Sequence, residues 1–288
     1  MTVAELCTRL PVRVMEELIE PLCVSALNIP GTQASAQVFL NVMRDALFGQ
    51  GHAGLGASNL LLPRTDLSTL MPQAAARWLQ TQHPDRTRLQ LGARVLGLQR
   101  QRAGWLLHGQ QDGGGFEAVF DRVIWATAAG PAAQAMTQAA ALTKAAHDSE
   151  TAHRLSAWAQ SAAALDFTAI TTVYAWAPGV RLASPMLALR ATPKAPAQFV
   201  FDRGQLNPAD AAAQGVLAFV VSASEGEREA VQTAVLQQAA DQLGLTGLQA
   251  IQTVVEKRAT FACTPGLQRP APEIAPGLWA AGDYVDGP

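Results

Sequence analysis

The segment Gly49-Gln50-Gly51-His52-Ala53-Gly54 has the spacing G-x-G-x-x-G, in which glycines let the backbone approach a dinucleotide pyrophosphate at the start of a helix. That chemistry needs a strand before the first glycine and an amphipathic helix after the last. Here Asn41 to Phe48 carries helical spacing, and Leu60-Leu61-Leu62-Pro63 opens no helix, so an ordinary glycine-rich loop is expected. Near the other end, the run Gly277-Leu278-Trp279-Ala280-Ala281 closes on Gly282-Asp283. Open α/β sheets bind ligands at the carboxyl ends of their strands. A glycine there admits close approach of a cofactor, and an aspartate can accept hydrogen bonds from ligand hydroxyls.

Other chemistries find little support. His52, His83, His108, His147 and His153 show no metal-ligand spacing, so no metal site is expected. No serine sits in G-x-S-x-G and there is no H-E-x-x-H. Cys7, Cys23 and Cys263 are too scattered for a disulfide framework and read as buried thiols in a reducing compartment. The 21 Lys and Arg against 23 Asp and Glu give a net charge of -2, which supplies no electrostatic footprint for nucleic acid. Only 15% of the 288 residues are charged while 49% are hydrophobic. Much of the chain must therefore be buried or lie against something apolar, a large apolar ligand or a membrane surface. The first twenty residues hold Glu5, Glu16, Glu17 and Glu20, which is unlike a secretory signal.

The elements that would position these residues follow a segregated order. Thr2 with Glu5 is a capping-box spacing. Helical periodicity runs over Pro11 to Leu27, Ala34 to Phe48 and Asp66 to Gln80, the last with Leu70, Ala74 and Trp78 on one stripe. Strand patterns then cover Arg88 to Leu98, Gly104 to Gly109 and Phe116 to Thr127, the last ending in the apolar run Val123-Ile124-Trp125-Ala126. An Ala-rich helical region precedes strands at 168–176, 185–189, 198–201 and 216–222. A helix over 225–243, a strand over 251–261 and a final strand over 277–283 complete the chain. The fold class is α/β, with an α+β substrate domain. The expected division is 1–87 and 131–270 for a substrate domain with a helical layer and mixed sheet, and 88–130 and 271–288 for a Rossmann-like cofactor domain.

Several segments together resemble one family. They are Val254 to Phe261 (Val-Val-Glu-Lys-Arg-Ala-Thr-Phe), Thr264-Pro265-Gly266, Arg269-Pro270 and Gly277 to Val285. With them go Glu20-Pro21-Leu22-Cys23, Ala26-Leu27-Asn28, Ala34 to Phe39, Leu61-Leu62-Pro63-Arg64, Asp66-Leu67 and Phe201-Asp202-Arg203-Gly204. The chain is similar over its whole length to the FAD-dependent isoprenoid oxidoreductases of the phytoene desaturase and amine oxidase superfamily. Within it, the resemblance points to the squalene-associated desaturases that act as hydroxysqualene dehydroxylases.

The resemblance implies FAD as cofactor, with Gly282 and Asp283 at its pyrophosphate and ribityl region. It also implies Val95 beside the adenine through its backbone, and Ala126 and Thr127 near the pyrophosphate. Arg258 matches a position close to the flavin ring, as the catalytic candidate, and Arg64 is expected near it; a structural salt bridge is the alternative for both. Ile170, Thr172, Tyr174 and Trp176 share one face of a strand and are candidates to line an apolar substrate tunnel, with simple core packing as the alternative. The implied reaction is reductive dehydroxylation of hydroxysqualene to squalene for hopanoid biosynthesis, with its proton drawn from Tyr174, Asp202, Glu256 or water held by Arg258. A carotenoid desaturase, or a non-catalytic fragment or subunit completed by a separate FAD-binding chain, remains the alternative. Family members open with a strand, G-x-G-x-x-G and a helix, and continue past the Gly-Asp strand into a further helix. Neither feature is found here, so an incomplete cofactor domain is expected. A cytoplasmic protein, with peripheral contact with the inner membrane left open, fits the low charge and the apolar substrate.

Overall fold

The computed structural model describes residues 1–286. It begins with helices α1 (Val3–Leu6), α2 (Val12–Val14), a π-helical turn (Met15–Ile19), α3 (Glu20–Leu27), α4 (Ala36–Phe48), α5 (Leu67–Leu70) and α6 (Pro72–Gln82). Strands β1 (Ala93–Gln101), β2 (Gly104–Gln111), β3 (Gly114–Phe120) and β4 (Val123–Trp125) come next, then helices α7 (Ala129–Ala145) and α8 (Ser149–Ala163). After these come β5 (Phe167–Trp176), β6 (Met186–Ala188), β7 (Phe199–Asp202), α9 (Arg203–Leu206) and β8 (Val216–Ser222). The last elements are α10 (Arg228–Leu243), β9 (Gln249–Phe261), β10 (Glu273–Ala275) and β11 (Leu278–Ala280). No helix among the described residues is long and apolar enough to cross a membrane.

The chain forms two compact units. One holds residues 1–79 and 167–266, the other 80–166 and the segment from Leu267 onward. The chain thus passes between them more than once, as the order of its elements implies. The unit boundaries fall at 79/80, 166/167 and 266/267 where the sequence pattern set 87/88, 130/131 and 270/271, and the second differs most. Residues 131–166, grouped there with 131–270, belong instead to the second unit, because α7 packs on β1 and α8, and α8 packs on β10. Ala132, Ala139 and Ala140 on α7 and Ala152, Ala159 and Ala162 on α8 are buried; side chains this small let helices approach closely.

In the first unit, the Thr2 hydroxyl accepts from the Glu5 N–H at 3.2 Å and the Glu5 carboxylate accepts from the Thr2 N–H at 2.8 Å. This is the reciprocal cap the spacing predicts. The π turn ends two residues before Pro21, which has no N–H for the ordinary i→i−4 bond; the wider turn absorbs that loss. The helix expected over 66–80 is broken at Met71, since the residue before a proline is disfavoured in the α region. Its supposed core stripe faces water, with Leu70 54% and Trp78 57% exposed. Cys23 is buried, and burial, with the charges of Glu20 and Cys7, pushes its thiol up to about 12. Cys7 and Cys263 are only half-buried, short of the full burial expected.

The main sheet of this unit runs β6-β7-β8-β5-β9 with antiparallel neighbours. Val173 and Ala175 of β5, Leu217, Phe219 and Val221 of β8, and Val200 of β7 form a core with Val231, Val235 and Ala239 of α10. The other face carries the alternate residues, among them the expected row Ile170, Thr172, Tyr174 and Trp176.

The second unit has two sheets, the antiparallel β1-β2-β3 and β10-β11-β4. The strand expected over 116–127 is split between them, into β3 and β4. Leu89 and Leu91 lie ahead of β1 and are 50% and 77% exposed; their alternation does not mark a buried strand. The final strand is shorter than expected, and β10, not anticipated, pairs with it. Trp105 is fully buried, its indole N–H donating to the Pro276 carbonyl at 3.2 Å.

Candidate functional site

β11 lies parallel to β4, with Leu278 opposite Val123 and Ala280 opposite Trp125. The register continues one step further, where the Ala281 N–H donates to the Trp125 carbonyl at 3.0 Å. The carboxyl ends of the two strands therefore coincide, and Ala126-Thr127 and Gly282-Asp283 emerge side by side. Each of these residues is exposed. Thr127 is oriented by the Trp125 indole N–H, which donates to its hydroxyl at 2.8 Å. Directly behind it α7 starts at Ala129, and its cap residue Ala128 offers no side-chain hydrogen bond. The first N–H groups of a helix lack intrahelical partners and favour anions.

Gly282 is required sterically. A Cβ there would stand 2.7 Å from the Tyr284 ring. Tyr284 is 2% exposed, and its ring meets Trp158 edge-on at 6.4 Å. Small residues, a positive helix end and the exposed carboxylate of Asp283 suit a ligand that carries both phosphates and hydroxyls. Val95 belongs to the same unit but lies on the separate β1-β2-β3 sheet, 39% exposed, next to a bulge between Val95 and Gly97.

In the first unit, Tyr174 and Trp176 do share a face. Cross-strand pairing extends it into two rows, Met186–Phe201–Ala218–Tyr174–Gln252 and Ala188–Phe199–Val220–Thr172–Val254. Most of these residues are half-buried or exposed, whereas Val173, Ala175, Val200, Leu217, Phe219 and Val221 on the opposite face are buried. Trp176 is 37% exposed and pinned by its indole N–H, which donates to the Gln214 carbonyl at 3.2 Å.

Arg258 is exposed and falls in an irregularity of β9, where Ile170 opposes Glu256 and Thr168 opposes Thr260. Bulges of this kind re-aim side chains and recur beside functional sites. Its backbone N–H donates to the Glu256 carboxylate at 3.1 Å. Arg64 is exposed in the loop between α4 and α5. Asp202, one of the four candidate proton sources, is a structural cap at the start of α9. Its buried carboxylate accepts from the Leu182 N–H (3.0 Å), the Gln205 N–H (3.0 Å) and the Gln205 amide (2.8 Å). Burial raises its pKa, but these hydrogen bonds and the charge of Arg181 outweigh that, and the net shift is downward.

No family model matches the chain, and neither does any curated protein. Solved structures do match. A protein assigned as a protoporphyrinogen oxidase from Exiguobacterium sp. 255-15 is 19% identical with a TM-score of 0.60, over 100% of this chain and 63% of its own. An oxidoreductase from Methanosarcina mazei is 13% identical with a TM-score of 0.66, over 99% of this chain and 63% of its own. Reduced UDP-galactopyranose mutase is 9% identical with a TM-score of 0.59, over 92% of this chain and 56% of its own. The chain has part of the fold that these structures share. It spans less than two thirds of the length of these structures.

Within that fold, reading the sequence for chemistry overlooks two residues. Tyr284 closes the turn after Gly282-Asp283. Asn28, in the left-handed conformation at the end of α3 (φ 54°), is 5% exposed. Its amide donates to the Thr168 and Thr260 hydroxyls, each at 3.0 Å, and its carbonyl accepts from the Ala223 N–H. It thereby anchors the two strands just beyond the irregularity that holds Arg258. The sequence carried two signals, a helix ending in Leu-Asn without a glycine and the place of Ala26-Leu27-Asn28 among the segments of the resemblance.

Proposed function

We propose that this chain is the substrate-binding portion and part of the cofactor-binding portion of an FAD-dependent oxidoreductase acting on a long isoprenoid. The reaction we assign is reductive dehydroxylation of hydroxysqualene to squalene in hopanoid biosynthesis. The observation that carries the reading is the parallel register of β4 and β11, which sets Ala126-Thr127 beside Gly282-Asp283 at the start of α7.

Ala126, Thr127 and Gly282 would hold the pyrophosphate region of FAD through backbone groups, and Asp283 would accept hydrogen bonds from its ribityl hydroxyls. Val95 is assigned to the adenine. When bound and reduced, FAD supplies the hydride that replaces the allylic hydroxyl, which leaves as water with one proton. The residues of this chain then have to orient the substrate, keep water out and deliver that proton. The half-buried rows containing Thr172, Tyr174, Phe199 and Phe201 offer an apolar bed for a hydrocarbon chain. With Asp202 committed as a cap, the proton source narrows to Tyr174, Glu256 or water held by Arg258. Arg258 carries a fixed positive charge on the β9 irregularity, and Arg64 is assigned to substrate binding.

The test is incubation of the full-length enzyme containing this chain with hydroxysqualene and a flavin reductant. Squalene is the expected product; its absence, with flavin bound, overturns the substrate assignment. Flavin absorbance in the purified 288-residue chain tests separately whether its residues suffice to hold FAD.

A further inference from the structure

Between the pairs Thr168–Thr260 and Ile170–Glu256, β5 contributes one residue, Ala169, while β9 contributes three, Lys257, Arg258 and Ala259. The extra residues must arch away from the ladder. β9 is the last strand of its sheet, and Lys257 and Arg258 are exposed, so burial does not hold this arch. Segments with few buried contacts open readily, and a charged side chain carried on one would wander.

Side chains pin its two ends. At one end the Glu256 carboxylate turns back along its own strand and accepts from the Arg258 N–H at 3.1 Å. At the other, the Thr260 hydroxyl accepts from the Asn28 amide at 3.0 Å and lies 3.0 Å from the Thr168 hydroxyl. The same amide is 3.0 Å from the Thr168 hydroxyl and 3.4 Å from the carbonyls of Thr168 and Ala169. Ala169, opposite the arch, is also held from β8: its carbonyl accepts from the Ser224 N–H at 3.0 Å, and the Ser224 and Thr171 hydroxyls are 2.6 Å apart. A glycine would end α3 in the left-handed conformation without strain. Asn28 carries both that strain and a buried amide, and what it adds over glycine is the side chain that reaches Thr168, Thr260 and Ala223.

We propose that Asn28 and Glu256 are positioning residues for Arg258. Together they fix the arch of β9, and the Glu256 carboxylate serves that arch and does not supply the proton of the reaction. The role of Arg258 rests on the reading above; the pinning of the arch rests on these distances alone. Fixing the guanidinium matters because a misplacement of about 1 Å in a catalytic arrangement can lower a rate by about a hundredfold. With Asp202 and Glu256 both engaged, the proton is left to Tyr174 or to water held by Arg258.

The first test is amide hydrogen exchange, read by mass spectrometry on the 288-residue chain over 254–261 with α10 as reference. Glu256→Ala and Thr260→Val should each exchange about tenfold faster in the arch and like the parent in α10. Glu256→Gln keeps a side-chain oxygen at the same reach and Thr260→Ser keeps the hydroxyl, so both should exchange like the parent. Valine fills the space of threonine, and faster exchange therefore reports the lost hydrogen bond. If Thr260→Val fails to fold, Thr168→Val removes the other hydroxyl that Asn28 holds. The second test is turnover of hydroxysqualene by the full-length enzyme with a flavin reductant. Glu256→Ala should lower kcat several-fold with KM little changed, and Glu256→Gln should recover most of that loss with the parent's pH profile, which replacement of a proton donor could not do. Thr260→Val should also lower kcat several-fold, yet add nothing further to Arg258→Gln, because both changes act through one guanidinium. Parent-like exchange of the arch in Glu256→Ala and Thr260→Val, failure of Glu256→Gln to recover turnover, or additive losses with Arg258→Gln overturns the proposal. Full activity of Arg258→Gln overturns the reading of Arg258 and leaves the pinned arch standing. Absence of squalene, with exchange as expected, overturns only the substrate assignment.

Discussion

The Tyr284 hydroxyl donates to the backbone carbonyl of Thr127 at 3.1 Å, across 157 positions of sequence. This bond ties the turn after β11 to the second residue past β4. The Val285 N–H donates back to the Gly282 carbonyl at 3.2 Å, so the Gly-Asp turn is held from both sides.

Tyr284→Phe leaves the Thr127 carbonyl without that donor, and should cost about 1 kcal/mol in urea unfolding and lower flavin affinity in the full-length enzyme. Burial, then the Asp283 carboxylate, raises the phenol above its ordinary pKa of 10.0. A raised folded pKa means that the neutral phenol's contribution is complete below the unfolded value and is lost as pH rises through the folded one. Unfolding titrated above pH ~10 should therefore show a stability loss in the parent that is reduced in Tyr284→Phe. Identical alkaline profiles would contradict this.

Gly282→Ala places a Cβ 2.7 Å from the Tyr284 ring. That ring is confined beside Trp158, whose indole N–H is itself fixed by the Ala271 carbonyl at 2.8 Å. A loss of about 1–3 kcal/mol is expected, in line with overpacked sites, together with a change in the near-ultraviolet circular dichroism of Trp158 and Tyr284. A variant of unchanged stability and spectrum would show that the turn has room to move.

Asn28 separates two effects by its replacements. Asn28→Gly keeps the left-handed backbone at no steric cost but orphans the Ala223 N–H, with an expected loss of about 2 kcal/mol. Asn28→Ala adds about 1 kcal/mol of left-handed strain. Chemical denaturation of both variants checks the order; Ala equal to or better than Gly would refute the strain component.

Asp202 bears on acid stability. Its folded pKa is depressed, so its contribution is present above the unfolded value near ~4 and fades as pH falls through the folded one. Asp202→Ala should lose about 2 kcal/mol at neutral pH through the missing cap, and should flatten the stability profile below pH ~4. An unaltered acid limb would place that stability elsewhere.

Local sequence rules account for much of the fold. The Thr2–Glu5 capping box, the α10 face with Val231, Val235 and Ala239, and the alternation along β5 and β8 each follow from spacing, because helix and strand periods decide which side chains share a face. The same rules find helix within 66–80 and strand within 88–98 but misjudge burial there, since Leu70, Trp78, Leu89 and Leu91 are exposed, and they miss β10, which is too short to show a period. Among the candidate site residues, Tyr174 and Trp176 could be set on one face from the sequence, and the Gly282-Asp283 turn could be singled out.

What stands beside them could not. Only the tertiary structure sets Ala126-Thr127 next to Gly282-Asp283, assigns α7 and α8 to the second unit, and brings Asn28 to Thr168 and Thr260 beside the arch of β9. Parallel pairing between strands so far apart is chosen by the packing of the whole unit. Periodicity specifies which face of a strand is buried, and leaves its neighbour undetermined.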